Sequence, residues 1–600
     1  MNKNVIIDIT SYIRHLTKKV IKVSLAMILV VEMLSGSITG VWKGFNSTKT
    51  EAADNDTITL RICNWEEYID EGGWNADETI DLESTDIRGD NSMVDDFVQW
   101  YYKTYGKKVN VEYSCLGTNE ELYNMLTLGD EYDLICPSEY MFMKLMTEGW
   151  LEPFSDEFYD TGIKENYYAK GVSPFIKQTF DNNTINGEPW SKYAAGYMWG
   201  VTGIIYNPED VTKQEASTWK IINNDKFRRM ITVKDNVRDT MFAAIGAIKS
   251  DKLRSQDFIR QADYTDKLAE EMNDTSKDTV DEVLEYLQQV KDNVYSFETD
   301  SGKIDAITGK ISAGYQWSGD AVYIMQQAEA NDVELNFAIP EECTNMYFDG
   351  WAMLKSGING NSEKKKAAEA FVNFVSMPEN AVRNMYYIGY TSVISGGQSP
   401  VIYDYLKWNY GLESLMEEDD TISEADAIDY SLGYFFSGVS NDSRYILRTS
   451  KAQTEGMLSA QYPTEEVMHR SAIMQYFDND ETARINQMWI NVRCFNIHNV
   501  PVCVWIAGII PSSVHPLIAL FPVFILNAYQ WQTFTTPECY NSSTIFSTNN
   551  YKQTVLAWMR YHMTHDQSQK KRAWLFTGTL IFFHLGVLAG YFAVKHLSLI

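Results

Sequence analysis

Basic residues are scarce in this 600-residue chain: 51 Lys and Arg stand against 81 Asp and Glu, a formal net charge of -30. That deficit excludes nucleic-acid binding through phosphate contacts, which needs clustered cations. Seven Cys lie scattered with no C-x-x-C spacing, and four of the eight His (His562, His565, His584, His596) fall in the last forty residues. Neither a zinc site nor a disulfide framework is supported. With only 14 Pro and 35 Gly, a collagen-like or wholly disordered chain is excluded as well. What is abundant is acid and aromatic surface, with 37 Tyr and 16 Trp. That pairing suits a cationic, partly apolar ligand. A chain this long exceeds one hydrophobic core.

The charge is unevenly placed. Residues 1–53 hold seven Lys/Arg against three Asp/Glu, and residues 500–600 six against two, so the acid excess belongs to the body between them. The N-terminus reads as an export signal or anchor with a linker (1–53). Arg14, Lys18, Lys19 and Lys22 precede the apolar run Val23–Val31, and small residues at Ala52–Ala53 offer a cleavage point. Two apolar stretches near the other end, about 500–528 and 573–594, read as one or two membrane segments. The basic loop between them predicts a cytoplasmic side, which leaves the acidic body outside the cell membrane.

Within residues 54–499 the pattern alternates between strand and helix, predicting an α/β fold. TITLRICNW (Thr57–Trp65) and KVNVEYS (Lys108–Ser114) read as strands, and EYDLICPS (Glu131–Ser138) as a short buried one stopped by Pro137. Val94, Phe97, Val98 and Tyr101 have helical spacing after a cap at Asn91 or Ser92. Thr118 with Glu121 predicts a capping box, and Ala367, Ala368, Phe371, Val372 and Val375 form a stripe before Pro378. Ligands in such folds bind at the carboxyl ends of strands. Those ends carry NWEEY, PSEY, KDNVRD and YQWSGDA, joined by YFDGW and IGYTS.

These segments resemble the spermidine/putrescine-binding proteins, the extracellular solute-binding subunits of ABC importers. The likeness rests on LRICNWEEYID, YDLICPSEYMFMKLMTEGWLEP, YMWGVTGIIYNP, GYQWSGDAVYIMQQA, FDGWAML and MYYIGYTS, in order from Ile58 to Gly396 and more loosely to Asn496. It implies a two-lobe periplasmic-binding-protein (type II) fold. Lobe 1 would take about 54–200 and 350–400, lobe 2 about 201–349, with C-terminal helices in 401–499 unassigned. Strands Trp199–Asn207 and Tyr347–Leu354 would cross between the lobes. No catalysis and no cofactor are implied; the partners would be a polyamine and permease and ATPase subunits on separate chains. The binding aromatics fall on Trp65, Tyr68, Tyr140, Trp317 and Tyr390, the ammonium-binding acids on Asp239 and Asp349, with Asp235 or Asn236 a third. Glu66 and Ser138 supply polar contacts. Glu66 stands where the family has a hydroxyl, Tyr347 stands where a Trp is expected, and residues Trp74–Ser92 form an insertion.

The residue types fit that ligand. Each ammonium needs a carboxylate, a charge-assisted bond worth about 1.5–3 kcal/mol. Each methylene run needs an apolar wall, and a dry aromatic face adds about 0.5–2 kcal/mol toward the charge. A sugar, amino-acid or ferric-ion receptor on the same fold is the alternative; Tyr386–Tyr387 is the pair a ferric site would use. A glycosidase working through paired carboxylates is a rival of another class. A tethered sensor is a third, but no kinase, cyclase or receiver motif accompanies the tail.

Overall fold

The structure is a computed structural model describing residues 57–494, apart from Ala76, Asp77, Asp300, Asp332 and Asp420, together with Lys570. The expected export signal, the Ala52–Ala53 cleavage point and the apolar stretches 500–528 and 573–594 lie outside those residues. Among the described residues, no helix is long and apolar enough to cross a membrane.

Eight strands form the spine of a twelve-stranded sheet: β1 (Thr57–Trp65), β2 (Lys108–Leu116), β3 (Leu134–Ile135), β4 (Ala194–Tyr206), β5 (Ile231–Lys234), β6 (Ser296–Glu298), β7 (Ala313–Trp317) and β8 (Thr344–Leu354). Across the sheet they run β6-β5-β7-β4-β8-β3-β1-β2. At one end β2, β1 and β3 are parallel; at the other β6, β5 and β7 are parallel. The long strands β4 and β8 join the two halves as an antiparallel pair. Every residue of both is buried, as expected of strands covered on both faces.

The helices flanking the sheet are α1 (Met93–Tyr105), α2 (Asn119–Thr127), α3 (Glu139–Thr147), α4 (Val237–Ile248), α5 (Lys277–Asn293), α6 (Ser318–Glu329), α7 (Ser362–Val375), α8 (Pro378–Ile388) and α9 (Asn479–Cys494). Ser92 caps α1 by accepting the Asp95 N–H, and Met93, Phe97 and Tyr101 bury its inner stripe. At α2 only half of the expected capping box forms. Thr118 takes the Glu121 N–H at 3.0 Å, but the Glu121 carboxylate accepts from the Gly117 N–H instead. The strand expected over Glu131–Ser138 contracts to β3, because Pro137 has no N–H to give a ladder and α3 starts two residues later. Pro378 does open α8.

Residues 401–494 are not helical throughout, as the sequence reading had them. Ala427–Ser431 and Ile446–Ser450 form an antiparallel pair. Ser471–Ala472 then joins the main sheet beside Thr344–Asn345 of β8, and α9 packs on α5.

Candidate functional site

At the middle of β8 the pairing with β4 slips by one residue between Asp349 and Gly350. Such a bulge re-aims a side chain. Here the Asp349 carboxylate is turned onto the residues following β1 and β3. It accepts the Tyr68 hydroxyl at 2.7 Å and the Ser138 hydroxyl at 2.8 Å. Tyr68 comes within reach because the chain leaving β1 turns through Glu67, which has φ of 52° in the left-handed region that non-glycine residues seldom occupy. The Tyr68 ring meets Tyr390 edge to face at 4.8 Å, and Tyr390 meets Tyr347 at 6.4 Å. Gly319, the second residue of α6, lies flat on Tyr390: a Cβ there would sit 2.2 Å from the ring.

From the other half of the sheet, α4 and β7 contribute Asp239 and Trp317. Asn236 caps α4, accepting the N–H groups of Arg238 and Asp239, which fixes the first turn. Asp239 then accepts the Trp317 indole N–H at 3.2 Å, with the Tyr315 hydroxyl at 3.5 Å. The Lys234 ammonium lies 3.9 Å above the centre of the Trp317 ring and pairs with Asp320 at 3.1 Å. Asp320 also pairs with Lys303 and accepts the Tyr390 hydroxyl at 3.0 Å. A continuous run of contacts thus links Asp239 through Trp317, Lys234, Asp320, Tyr390 and Tyr68 to Asp349, crossing the seam between the halves.

The acids along this run differ in charge balance. Asp320 is buried, which would raise its pKa, but Lys234 and Lys303 hold it below the usual carboxylate range. Asp349 and Asp239 are 6% and 5% exposed. Among the described residues neither has a basic side chain within ion-pair distance. Burial pushes the Asp349 carboxyl up to about 6, against the opposing bonds from Tyr68 and Ser138. Burial likewise lifts Asp239 to about 6, resisted by the Trp317 bond and the Lys234 charge. A shift of some two pH units means that each carboxylate, when ionised, carries a cost on the order of 3 kcal/mol. A bound cation would remove that cost.

Seven sequence-predicted residues therefore meet: Tyr68, Ser138, Asp239, Trp317, Tyr347, Asp349 and Tyr390. Tyr347 is buried, with its hydroxyl 3.4 Å from that of Ser318. Tyr140 stands beside Asp239's helix, with Arg238 over its ring at 4.3 Å. Trp65 is half-buried at the end of β1, and its buried indole nitrogen has no partner among the described residues. Glu66 is exposed, and its side chain makes no hydrogen bond or ion pair among the described residues; its backbone N–H donates to the Leu116 carbonyl. Asp235 turns to Arg493 of α9 at 2.9 Å, and Asn236 spends its side chain as the cap. The two acids of KDNVRD do not share a face, because Asp235 precedes the cap and only Asp239 is helical.

Four participants were missed. Lys234 and Asp320 lay inside quoted motifs, but nothing local to either marks them as a pair 86 residues apart. Arg238 lies between Asn236 and Asp239 in KDNVRD, and nothing in that segment marks it as stacking on Tyr140. Glu139, 1% exposed, sits in PSEY; it accepts the Phe348 N–H, and burial pushes its carboxyl up to about 8. Tyr386 and Tyr387, the pair a ferric site would use, diverge: Tyr386 packs on Trp74 and Trp408, while Tyr387 is exposed. Trp74 belongs to the insertion, which folds as a small hairpin (Ile80–Asp81 with Asp86–Ile87).

Comparison with known proteins gives the class. Residues 93–403 match the family of bacterial extracellular solute-binding proteins, and the chain belongs to that family. Among curated relatives, the spermidine/putrescine-binding periplasmic protein 1 of Haemophilus influenzae is 24% identical over 350 residues, 57% of this chain and 77% of that protein. The putrescine-binding periplasmic protein PotF of Escherichia coli is 23% identical over 58% of this chain and 80% of its own length. Of solved structures, the spermidine/putrescine ABC transporter substrate-binding protein PotD of Streptococcus pneumoniae aligns with a TM-score of 0.45. It is 19% identical and covers 73% of this chain and 98% of that one.

Proposed function

We propose that this protein captures a polyamine outside the cytoplasm and delivers it to an ABC importer whose permease and ATPase are separate chains. Two α/β lobes, one on each half of the sheet, would hinge on β4 and β8 and close over the ligand. The terminal regions 1–53 and 500–600 would tether the receptor to the membrane. The carrying observation is the pair of buried carboxylates, Asp239 and Asp349, with no cationic partner among the described residues and with Trp317, Tyr68 and Tyr390 around them. A sugar would use the rings but leave both acids uncompensated, whereas an alkyldiammonium neutralises both and lays methylenes on the rings. The names of the curated relatives point the same way.

A thermal-shift panel on the full-length chain with putrescine, spermidine, sugars, amino acids and ferric ion tests the reading. Stabilisation by the amines alone is the expected result. A shift only with one of the other solutes would remove the proposal.

A further inference from the structure

Asp349 is gripped through the backbone around it as well as through its carboxylate. On one edge of β8, the Gly350 N–H donates to the Pro137 carbonyl at 3.1 Å. The Phe348 N–H, two residues earlier, points to the same edge. It falls in the gap between Ser471–Ala472, which pairs with Thr344–Asn345, and β3, which pairs with Ala352–Met353. Glu139, the buried first residue of α3, supplies the missing acceptor: its carboxylate takes that N–H at 3.0 Å. Pro137, Ser138 and Glu139 thus bind, in turn, the amide after Asp349, its side chain and the amide before it. On the other edge the slip leaves Tyr197 of β4 with no partner on β8, since Asp349 pairs with Met198 and Gly350 with Gly196. The buried Tyr197 hydroxyl donates to the Tyr68 carbonyl at 2.8 Å, a bond that Asn64 backs only at 3.4 Å, and the two rings meet edge to face at 5.7 Å. Tyr68 in turn gives its own hydroxyl to the Asp349 oxygen that Ser138 leaves free.

Resting on the polyamine reading, we infer that Glu139 and Tyr197 are positioning residues for amine binding: they fix where the Asp349 carboxylate points, Glu139 through the strand that carries it and Tyr197 through Tyr68. A buried N–H without an acceptor is costly, so loss of the Glu139 oxygen shifts the strand at Phe348 and the bulge with it. Burial pushes the Glu139 carboxyl up to about 8, against the bond from Phe348. At neutral pH it is therefore mostly uncharged, and it serves the strand as an acceptor rather than the ligand as a counter-charge.

Calorimetry on the full-length chain with 1,4-diaminobutane and spermidine tests the assignment. Glu139→Met, which keeps the bulk and loses the acceptor, is expected to weaken amine binding about fivefold or more. Glu139→Gln, which restores an acceptor, should recover binding to within about twofold of the unaltered chain. Tyr197→Phe loses one hydroxyl and keeps the ring, so it covers the case in which the methionine variant does not fold; it should weaken binding about threefold or more. In an Asp349→Asn background both losses should shrink below about twofold, because both act through that carboxylate, whereas a general loosening of the fold would persist there. Unchanged affinity in the Met and Phe variants that fold, a glutamine variant as weak as the methionine one, or losses of full size in the Asp349→Asn background each overturn the assignment. Binding of neither amine by the unaltered chain removes the polyamine reading itself, a result distinct from binding that the variants leave untouched.

Discussion

Two sets of buried acids in this molecule are treated in opposite ways. Away from the seam two of them are neutralised by the chain itself. Asp70 is held by Arg383, which also pairs with Asp96, and Asp133 is held by Arg61 and Lys364. At the seam Asp239 and Asp349 receive hydrogen bonds from uncharged groups only. A folded chain that can place Arg383 against Asp70 across 313 residues could have supplied a cation here as well. Glu342, bonded by Thr218 and Ser250, and Glu369, bonded by Ser155, are also buried without a cation among the described residues, so what sets Asp239 and Asp349 apart is the missing cation together with the aromatic rings beside them.

The contrast can be broken at several points. The largest effect is expected on the paired set. Arg383→Met leaves Asp70 buried and uncompensated, which should cost about 3–5 kcal/mol of stability, read by denaturant unfolding. If stability is unchanged, the pair is not structural. Next comes the unpaired set. Asp349→Asn keeps an acceptor for one of the Tyr68 and Ser138 hydroxyls, offers its amide N–H to the other, and removes the charge, so polyamine affinity should fall more than tenfold, about 1.4 kcal/mol or more. The melting temperature should not fall with it. Near-normal affinity by calorimetry would show the anchor to be elsewhere.

The smallest effect concerns pH. Both seam acids have folded pKa values of about 6, above their unfolded values, so the folded protein binds more protons than the unfolded chain between about pH 4 and 6. Their contribution to stability therefore grows as pH falls through 6. Glu139, raised to about 8, acts in the same direction from a higher pH. The unliganded protein should melt a few degrees higher at pH 5 than at pH 7, about 2 °C for each kcal/mol in a chain this long. Saturating diamine should reverse the order, because the ligand binds the ionised form. The same sign with and without ligand would separate these acids from binding.

Much of this was legible in the residues, for a physical reason. Strands and caps are local, so TITLRICNW, KVNVEYS, the Ser92 cap and Pro378 fall where their patterns put them. Position past strand ends pointed to NWEEY, PSEY, KDNVRD and YQWSGDA, and the resemblance to the solute-binding proteins picked out Tyr68, Ser138, Asp239 and Trp317 within them. What stayed hidden depends on pairing at long range. Whether an acid is paired cannot be seen in its own neighbourhood: Asp320 lies in the same kind of motif as Asp349, yet two lysines neutralise it. The same holds for Phe477, an ordinary aromatic in its own segment, whose contact with Arg238 spans 239 positions.

The bulged strand has one more consequence, and it concerns the newly made chain. Asp349 joins Ser138 across 211 residues and Tyr68 across 281. Contacts this distant in sequence form late and slowly. No growing polypeptide can grip its cargo until the returning strand has threaded between the first half and the second. Competence for capture thus arrives together with completion, and cargo added during refolding would reward only molecules that had finished.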